Sequence, residues 1–266
     1  MKNILLIVIS FAFYLFNFTE TKANYNQLLD EAINNPQREN SNKQRDIYRN
    51  PKQTLLFFNI DRNKKILEIS PGRGWYTEII GNFMKNTNNF FVAKYKNPQV
   101  KIIKKIQKEF DDYFLINREF FGNIKSIYID KSYHIISEKE EYDMILTFRN
   151  THNWLDNGMA ENIYKSFYKI LKKGGTLGVV QHRANESSNF NFKNGYVKES
   201  FLINFIETLG FRLIEKSEIN SNAKDLKNYP KGVWTLPPRL IMGNENKSTY
   251  LKIGESDRMT LKFIKE

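Results

Sequence analysis

Glu68-Ile69-Ser70-Pro71-Gly72-Arg73-Gly74-Trp75 follows directly on the apolar pair Ile66-Leu67, and its reading decides the fold. A short apolar strand that runs into two closely spaced glycines and then an apolar-periodic stretch is the opening of a βαβ unit. Glycines at such a turn let the backbone approach a ligand and aim the first N–H groups of the helix at it. The dinucleotide pattern G-x-G-x-x-G is not met. Thr77 stands at the place of the third glycine, and the next strand ends in Lys94 where an acid is wanted.

Outward from this turn, short apolar runs alternate with longer amphipathic ones. Strands are expected at residues 66–69, 90–93, 126–129, 142–148, 176–180, 211–214 and 259–264. Helices are expected from the glycine turn through Met84 and at residues 100–114, 159–171 and 198–209. The second of these is rich in lysine, and the last is stopped by Gly210. Alternation of this kind implies right-handed crossovers. The expected fold class is therefore α/β, a Rossmann-like seven-stranded, mostly parallel sheet with helices on both faces. Residues 24–58 repeat apolar side chains at helical spacing around Pro36 and read as an N-terminal helical cap on the domain of residues 59–266. Residues 221–257 lack periodicity, hold Pro230, Pro237 and Pro238, and read as an insertion or lid before the last strand.

Composition narrows the function. The chain of 266 residues is 41% hydrophobic and 26% charged, which excludes wholesale disorder. It holds no cysteine, which excludes disulfides, cysteine-ligated zinc, iron–sulfur clusters and thiol catalysis, and no metal site is read from it. The net charge of +12 is spread along the chain without a dense Lys/Arg block, so a nucleic-acid partner is disfavoured. Lys2, the run from Ile4 to Phe18 and the Thr21-x-Ala23 site have the form of a signal peptide over residues 1–23, which implies export to the periplasm or beyond. The run is shorter than the roughly 20 apolar residues of a spanning helix, so no stable membrane span is expected after cleavage; an uncleaved anchor is the alternative.

A strand-end acid followed by x-x-P-G-x-G, Asp130 after the third strand, Tyr142-Asp143 opening the fourth and L-K-K-G-G-T-L at 171–177 together resemble class I S-adenosylmethionine-dependent methyltransferases. Y-R-N-P at 48–51, E-I-S-P-G-R-G-W-Y-T-E at 68–78, L-T-F-R-N-T-H-N-W at 146–154, Q-H-R-A at 181–184 and G-V-W-T-L-P-P-R-L at 232–240 resemble, more narrowly, a bacterial group of methyltransferase-like proteins, often secreted, with no established substrate. The resemblance implies S-adenosylmethionine as cofactor, a small-molecule acceptor, and cofactor contacts from Glu68, Ser70, Pro71, Gly72, Gly74, Asp130, Phe148 and Asn150. It implies that Glu68 orders the loop and the methionine amine and that Asp130 lies near the adenine, although a turn aspartate is the equal alternative. Two positions depart from the pattern. Ser70 stands where glycine is usual, which a turn tolerates if φ stays negative. Lys94-Tyr95-Lys96 stands where an acid commonly holds the ribose.

Ligands of open α/β sheets bind beyond the carboxyl ends of the strands. Arg149, Asn150, His152 and Trp154 follow the fourth strand there, and His182 and Arg183 follow the fifth. His152, Arg149 and His182 are the candidate catalytic residues, with His152 as base or as the group that orients the acceptor. Arg149 or Arg183 suits an anionic acceptor held bidentately, a salt bridge being the alternative for Arg149. Trp154 reads equally as a core anchor. Trp234 and Arg239, in the proline-rich insertion, are candidate substrate or lid residues unless that segment is simply a packed loop. A binding protein that keeps the fold and lacks transfer activity is the rival reading.

Overall fold

The computed structural model describes residues 24–137, 141–189 and 191–266. The expected signal peptide lies outside the described residues. A helix over residues 24–34 (α1) is followed by three short ones, α2 (Asn40–Lys43), α3 (Asp46–Arg49) and α4 (Pro51–Phe57). The alternating part then runs β1 (Ile66–Ile69), α5 (Trp75–Phe83), β2 (Phe90–Tyr95), α6 (Lys101–Ile116), α7 (Arg118–Phe121), β3 (Lys125–Ile129) and β4 (Tyr142–Phe148). It continues through α8 (Thr151–Asp156), α9 (Ala160–Ile170), β5 (Leu171–His182), α10 (Glu199–Glu207), β6 (Phe211–Ser217), α11 (Lys247–Ile253) and β7 (Arg258–Lys265).

The seven strands form one sheet in the order β3-β2-β1-β4-β5-β7-β6, parallel except for β7, which runs antiparallel to both neighbours. Successive strand residues face opposite layers, so each strand feeds two cores. Leu67, Ile69, Ile145, Leu177, Val179, Leu261 and Phe263 pack with Trp154, Tyr164, Phe167 and Ile206 of α8, α9 and α10. Ile66, Val92, Met144, Leu146 and Val180 face Leu29, Leu55, Ile79, Phe83, Phe110 and Phe114 of α1, α4, α5 and α6. The Lys-rich α6 buries only Phe110 and Phe114, leaving its charged face to water.

The N-terminal helices are fastened to the second layer by polar contacts as well as apolar ones. Arg38 bonds Asp46 at 2.8 Å and Glu78 of α5 at 3.4 Å, and the Trp75 indole donates to the carbonyl of Asn42 at 2.8 Å. They lie against α5, whose Tyr76 hydroxyl donates to the carbonyl of Arg49 at 3.4 Å.

Several elements differ from expectation, among them α7 and a β5 that begins at Leu171 rather than at residue 176. The segment after β4 is helical from Thr151, too short a helix for its period to show in sequence. The insertion also carries regular structure, a 3-10 turn at Gly232–Thr235 and α11.

Candidate functional site

The turn between β1 and α5 is held from two sides. Ser70 donates its N–H to the carbonyl of Ala93 on β2 at 2.9 Å. From β4, the Asn150 amide donates to the carbonyls of Ile69 at 2.9 Å and Ser70 at 3.3 Å. Ser70 is at φ 48, which corrects the expectation of a negative value: it takes up the left-handed conformation that glycine adopts freely, and the bonds on either side hold it there. Pro71 accepts from the N–H of Gly74 at 3.0 Å, closing the turn.

The two glycines serve different ends. A Cβ at Gly72 (φ 62) would meet nothing within 4 Å, so this side of the turn is open to a ligand. A Cβ at Gly74 (φ 86) would come within 2.4 Å of the Phe114 ring, so the chain's own α6 takes up the close approach there. Beneath the turn, Glu68 is 2% exposed and accepts from the Thr77 hydroxyl at 2.7 Å. Burial pushes its carboxyl up to about 7, against the smaller pull of Thr77.

The adenosine side is less complete. Lys94, at the end of β2, is buried and pairs with Asp111 of α6, its ammonium within 5.8 Å of the Phe110 ring centroid. The backbone of Tyr95 is closed by Gln107, which accepts its N–H at 2.9 Å and donates to its carbonyl at 3.0 Å. Among the described residues β2 itself supplies no carboxylate for a ribose diol, and the one that reaches its end, Asp111, is paired with Lys94. One carboxylate oxygen of Asp130 accepts from the N–H groups of Ser132 at 2.8 Å and His134 at 2.9 Å, the geometry of a turn aspartate.

Across the sheet, the ends of β4 and β5 bring several expected residues together. The His152 and His182 rings are 5.4 Å apart, and Trp234 from the insertion lies 5.8 Å from His152, edge to face. Gln181 donates its amide to the carbonyl of Gly195 at 3.0 Å, and its side-chain nitrogen and oxygen lie 3.1 Å and 3.4 Å from His152 Nδ1, so the pair can bond in either imidazole tautomer. Burial pushes His152 down to about 4 and His182 well below its ordinary value. His182 Nδ1 lies 2.5 Å from the Ser256 hydroxyl. Both rings are therefore neutral near pH 7. An imidazole held so far below its ordinary range is a weak base, which favours the orienting half of the expected role of His152.

Three expected residues are occupied elsewhere. Arg183 pairs with Asp257, Glu199 and Glu218, which raises its pKa and leaves no free face for an anionic acceptor. Trp154 is 1% exposed, donates to the Tyr95 hydroxyl at 2.9 Å and packs on Tyr164 and Phe167, so it anchors the core. Phe148 is stacked on Tyr76 with centroids 3.6 Å apart, within the core layer beneath α5. Arg239 is exposed, apart from the two histidines in its bonding.

What sequence reasoning missed is a group of arginines beside Arg149. Glu255, just before β7, receives Arg45 at 2.7 Å, Arg49 at 3.0 Å and Arg258 at 3.1 Å. The Arg49 guanidinium lies over the Trp75 ring, 4.7 Å from its centroid. Arg49 stands in the Y-R-N-P motif and Trp75 in the glycine-turn motif, but nothing in either motif shows that they meet.

No family profile and no curated protein sequence matches the chain. Solved structures do, at low identity. The [4+2]-cyclase SpnF superposes with a TM-score of 0.59 at 14% identity, covering 87% of this chain and 85% of that one. The chain has the class I methyltransferase fold. A SAM-dependent methyltransferase from Aquifex aeolicus gives a TM-score of 0.54 at 12% identity over 66% of this chain and 87% of its own. The glycopeptide N-methyltransferase MtfA gives 0.54 at 10% identity, over 82% and 96%. At these identities the likeness speaks for the fold alone, and one of the three structures is named as a cyclase. Among the described residues no helix is long and apolar enough to cross a membrane.

Proposed function

We propose that this chain is an S-adenosylmethionine-dependent methyltransferase acting on a small acceptor at the ends of β4 and β5. The observation that carries the reading is the open left-handed turn at Gly72, braced by Asn150 from the neighbouring strand. The residues fit the methionine end of the cofactor: Gly72 leaves room for it and Asn150 fixes the main chain beneath. When bound, the cofactor supplies an electrophilic methyl group. The chain's part is alignment, because an in-line displacement depends chiefly on how nucleophile and methyl are held. His152, a neutral imidazole, orients the acceptor by hydrogen bonding to it; Trp234 closes that side of the site. An acceptor that is already deprotonated or carries a free lone pair at neutral pH needs no stronger base.

Calorimetric titration with S-adenosylmethionine and S-adenosylhomocysteine tests this directly. Saturable heat at micromolar to millimolar ligand supports it; no heat and no thermal shift would overturn it.

The Lys94–Asp111 pair, its lysine buried and its aspartate exposed, favours a second reading. With a lysine where the ribose carboxylate is usual, the chain would be an exported binding protein that keeps the fold without the transfer. Heat with the acceptor alone and none with either cofactor form would select it.

A further inference from the structure

Arg149 is the residue that the structure leaves least explained. It follows β4 at φ 62, a left-handed conformation that a long side chain adopts only under constraint, and its N–H is held by the carbonyl of Val180 at 2.7 Å. Among the described residues its guanidinium makes no hydrogen bond, ion pair or ring contact. Its charged neighbours pull both ways, Glu255 most strongly. Arg45 and Arg258 repel it, while Glu255 attracts it but is already shared by Arg45, Arg49 and Arg258. Four guanidinium groups thus stand around one carboxylate, with Arg49 and Arg258 almost fully buried and Arg45 about a fifth exposed. Both terminal nitrogens of Arg49 and Nε of Arg258 are buried without a hydrogen-bond partner. The two neutral histidines add no charge of either sign, and burial keeps the Tyr76 phenol protonated, so neither offsets the arginines.

We propose that Arg149, backed by Arg45 and Arg258, is an oxyanion seat that takes a carboxylate, phosphate or sulfate group of the methyl acceptor. A planar guanidinium with free donors matches such groups bidentately, and a buried excess of positive charge makes the anion's arrival favourable twice over, by direct bonds and by relief of repulsion. Burial and the neighbouring arginines hold Arg149 down at about 10, the mark of a cation short of a partner. The position within the sheet points to the acceptor. Arg149 ends β4, and His182 and Arg258 sit opposite each other on β5 and β7, whereas the glycine turn and the adenosine side belong to β1, β2 and β3. The seat therefore lies on the β4–β5–β7 side of the switch point and borders the cofactor's expected place through Asn150 and Trp75. The existence of the seat is independent of the methyltransferase reading; its assignment to the acceptor rests on it.

The test compares the wild type with Arg149→Gly, which removes the guanidinium and suits the left-handed backbone, so that the variant folds. Thermal unfolding is followed in sodium phosphate and sodium sulfate against sodium chloride at matched ionic strength, with S-adenosylhomocysteine titrated in parallel. Sulfate and phosphate stabilise proteins generally by exclusion, so only the shift lost in the variant counts. Expected are millimolar binding of either oxyanion to the wild type, at least about tenfold weaker binding to Arg149→Gly, and an intermediate value for Arg149→Lys. Equal oxyanion shifts in wild type and Arg149→Gly would overturn the seat. Loss of S-adenosylhomocysteine heat in Arg149→Gly would overturn the assignment to the acceptor by giving the cation to the cofactor. Oxyanion binding without any S-adenosylhomocysteine heat in the wild type would keep the seat and sink the cofactor reading instead.

Discussion

Replacing Glu68 by Gln should stabilise the protein above neutral pH and leave it unchanged in acid. Glu68 is buried beneath the glycine turn, with the Thr77 hydroxyl at 2.7 Å as its bonding partner, and its carboxyl is raised from 4.5 to about 7. The folded state therefore prefers the protonated form. In the unfolded chain the carboxyl ionises from pH 4.5 upward, so stability falls between pH 4.5 and 7 and stays at the lower value beyond. A rise of that size corresponds to about 3 kcal/mol. Gln keeps the volume and the oxygen that accepts from Thr77 but cannot ionise. At pH 8 the Glu68→Gln variant should thus be more stable by about 3 kcal/mol, or roughly 6–12 °C in Tm for a domain of this size. At pH 4 the two proteins should coincide within about 0.5 kcal/mol. Urea unfolding at both pH values, followed by circular dichroism, measures the difference, and taking it between two proteins cancels the other titrating groups. A stability difference that does not change with pH, or a variant weaker at pH 8 than the wild type, would refute the reasoning. It would mean that the carboxylate is ionised in the fold and satisfied by contacts other than Thr77.

The two glycines of the turn should separate fold from function. Gly74→Ala forces a Cβ against the Phe114 ring and should cost about 2 kcal/mol or more in chemical denaturation, whereas Gly72→Ala pays only the left-handed strain of about 1 kcal/mol. The same Gly72→Ala change should weaken S-adenosylhomocysteine binding in calorimetry, since its methyl points into the open side of the turn. Arg183→Met should destabilise by about 3 kcal/mol, read by urea midpoint, because Asp257, Glu199 and Glu218 lose a shared cation that is mostly buried. His152 prefers its neutral form in the fold, so its contribution to stability is complete above pH 6.5 and is lost as pH falls toward about 4. His152→Asn should accordingly flatten the loss of Tm between pH 6.5 and 4, and a variant that keeps the full acid loss would show that other groups carry it.

The alternation of apolar runs was enough to foresee every strand of the sheet, most plainly the central ones, because a strand buried on both faces writes its whole length as hydrophobic sequence. The edge strands β3 and β6, by contrast, are largely exposed. Phe90 through Tyr95 and Tyr142 through Phe148 could hardly be anything else. Ends were less legible. The helix α8 is only a turn and a half long, and β5 begins at Leu171 because the chain passes through an irregular pairing between Tyr142 and Met144 before Thr176 resumes the register. The site was half visible. His152 and His182 could be placed together from strand order, since both follow parallel neighbours. Their neutrality could not, because it arises from burial beneath Trp234 and beside Arg149, which no local pattern records.

The sequence by itself determined the class of fold, the glycine turn and the strand ends at which side chains could act, since these follow from local periodicity and backbone sterics. Tertiary structure alone decided how those side chains are spent. Arg183 and Arg149 stand alike in sequence, each just after a parallel strand. One is surrounded by three carboxylates brought from α10, β6 and the start of β7, and the other by arginines brought from α3 and β7 around a single glutamate. Charge interacts through space with whatever the fold carries into range, so two equal cations became a structural pair and an unsatisfied one.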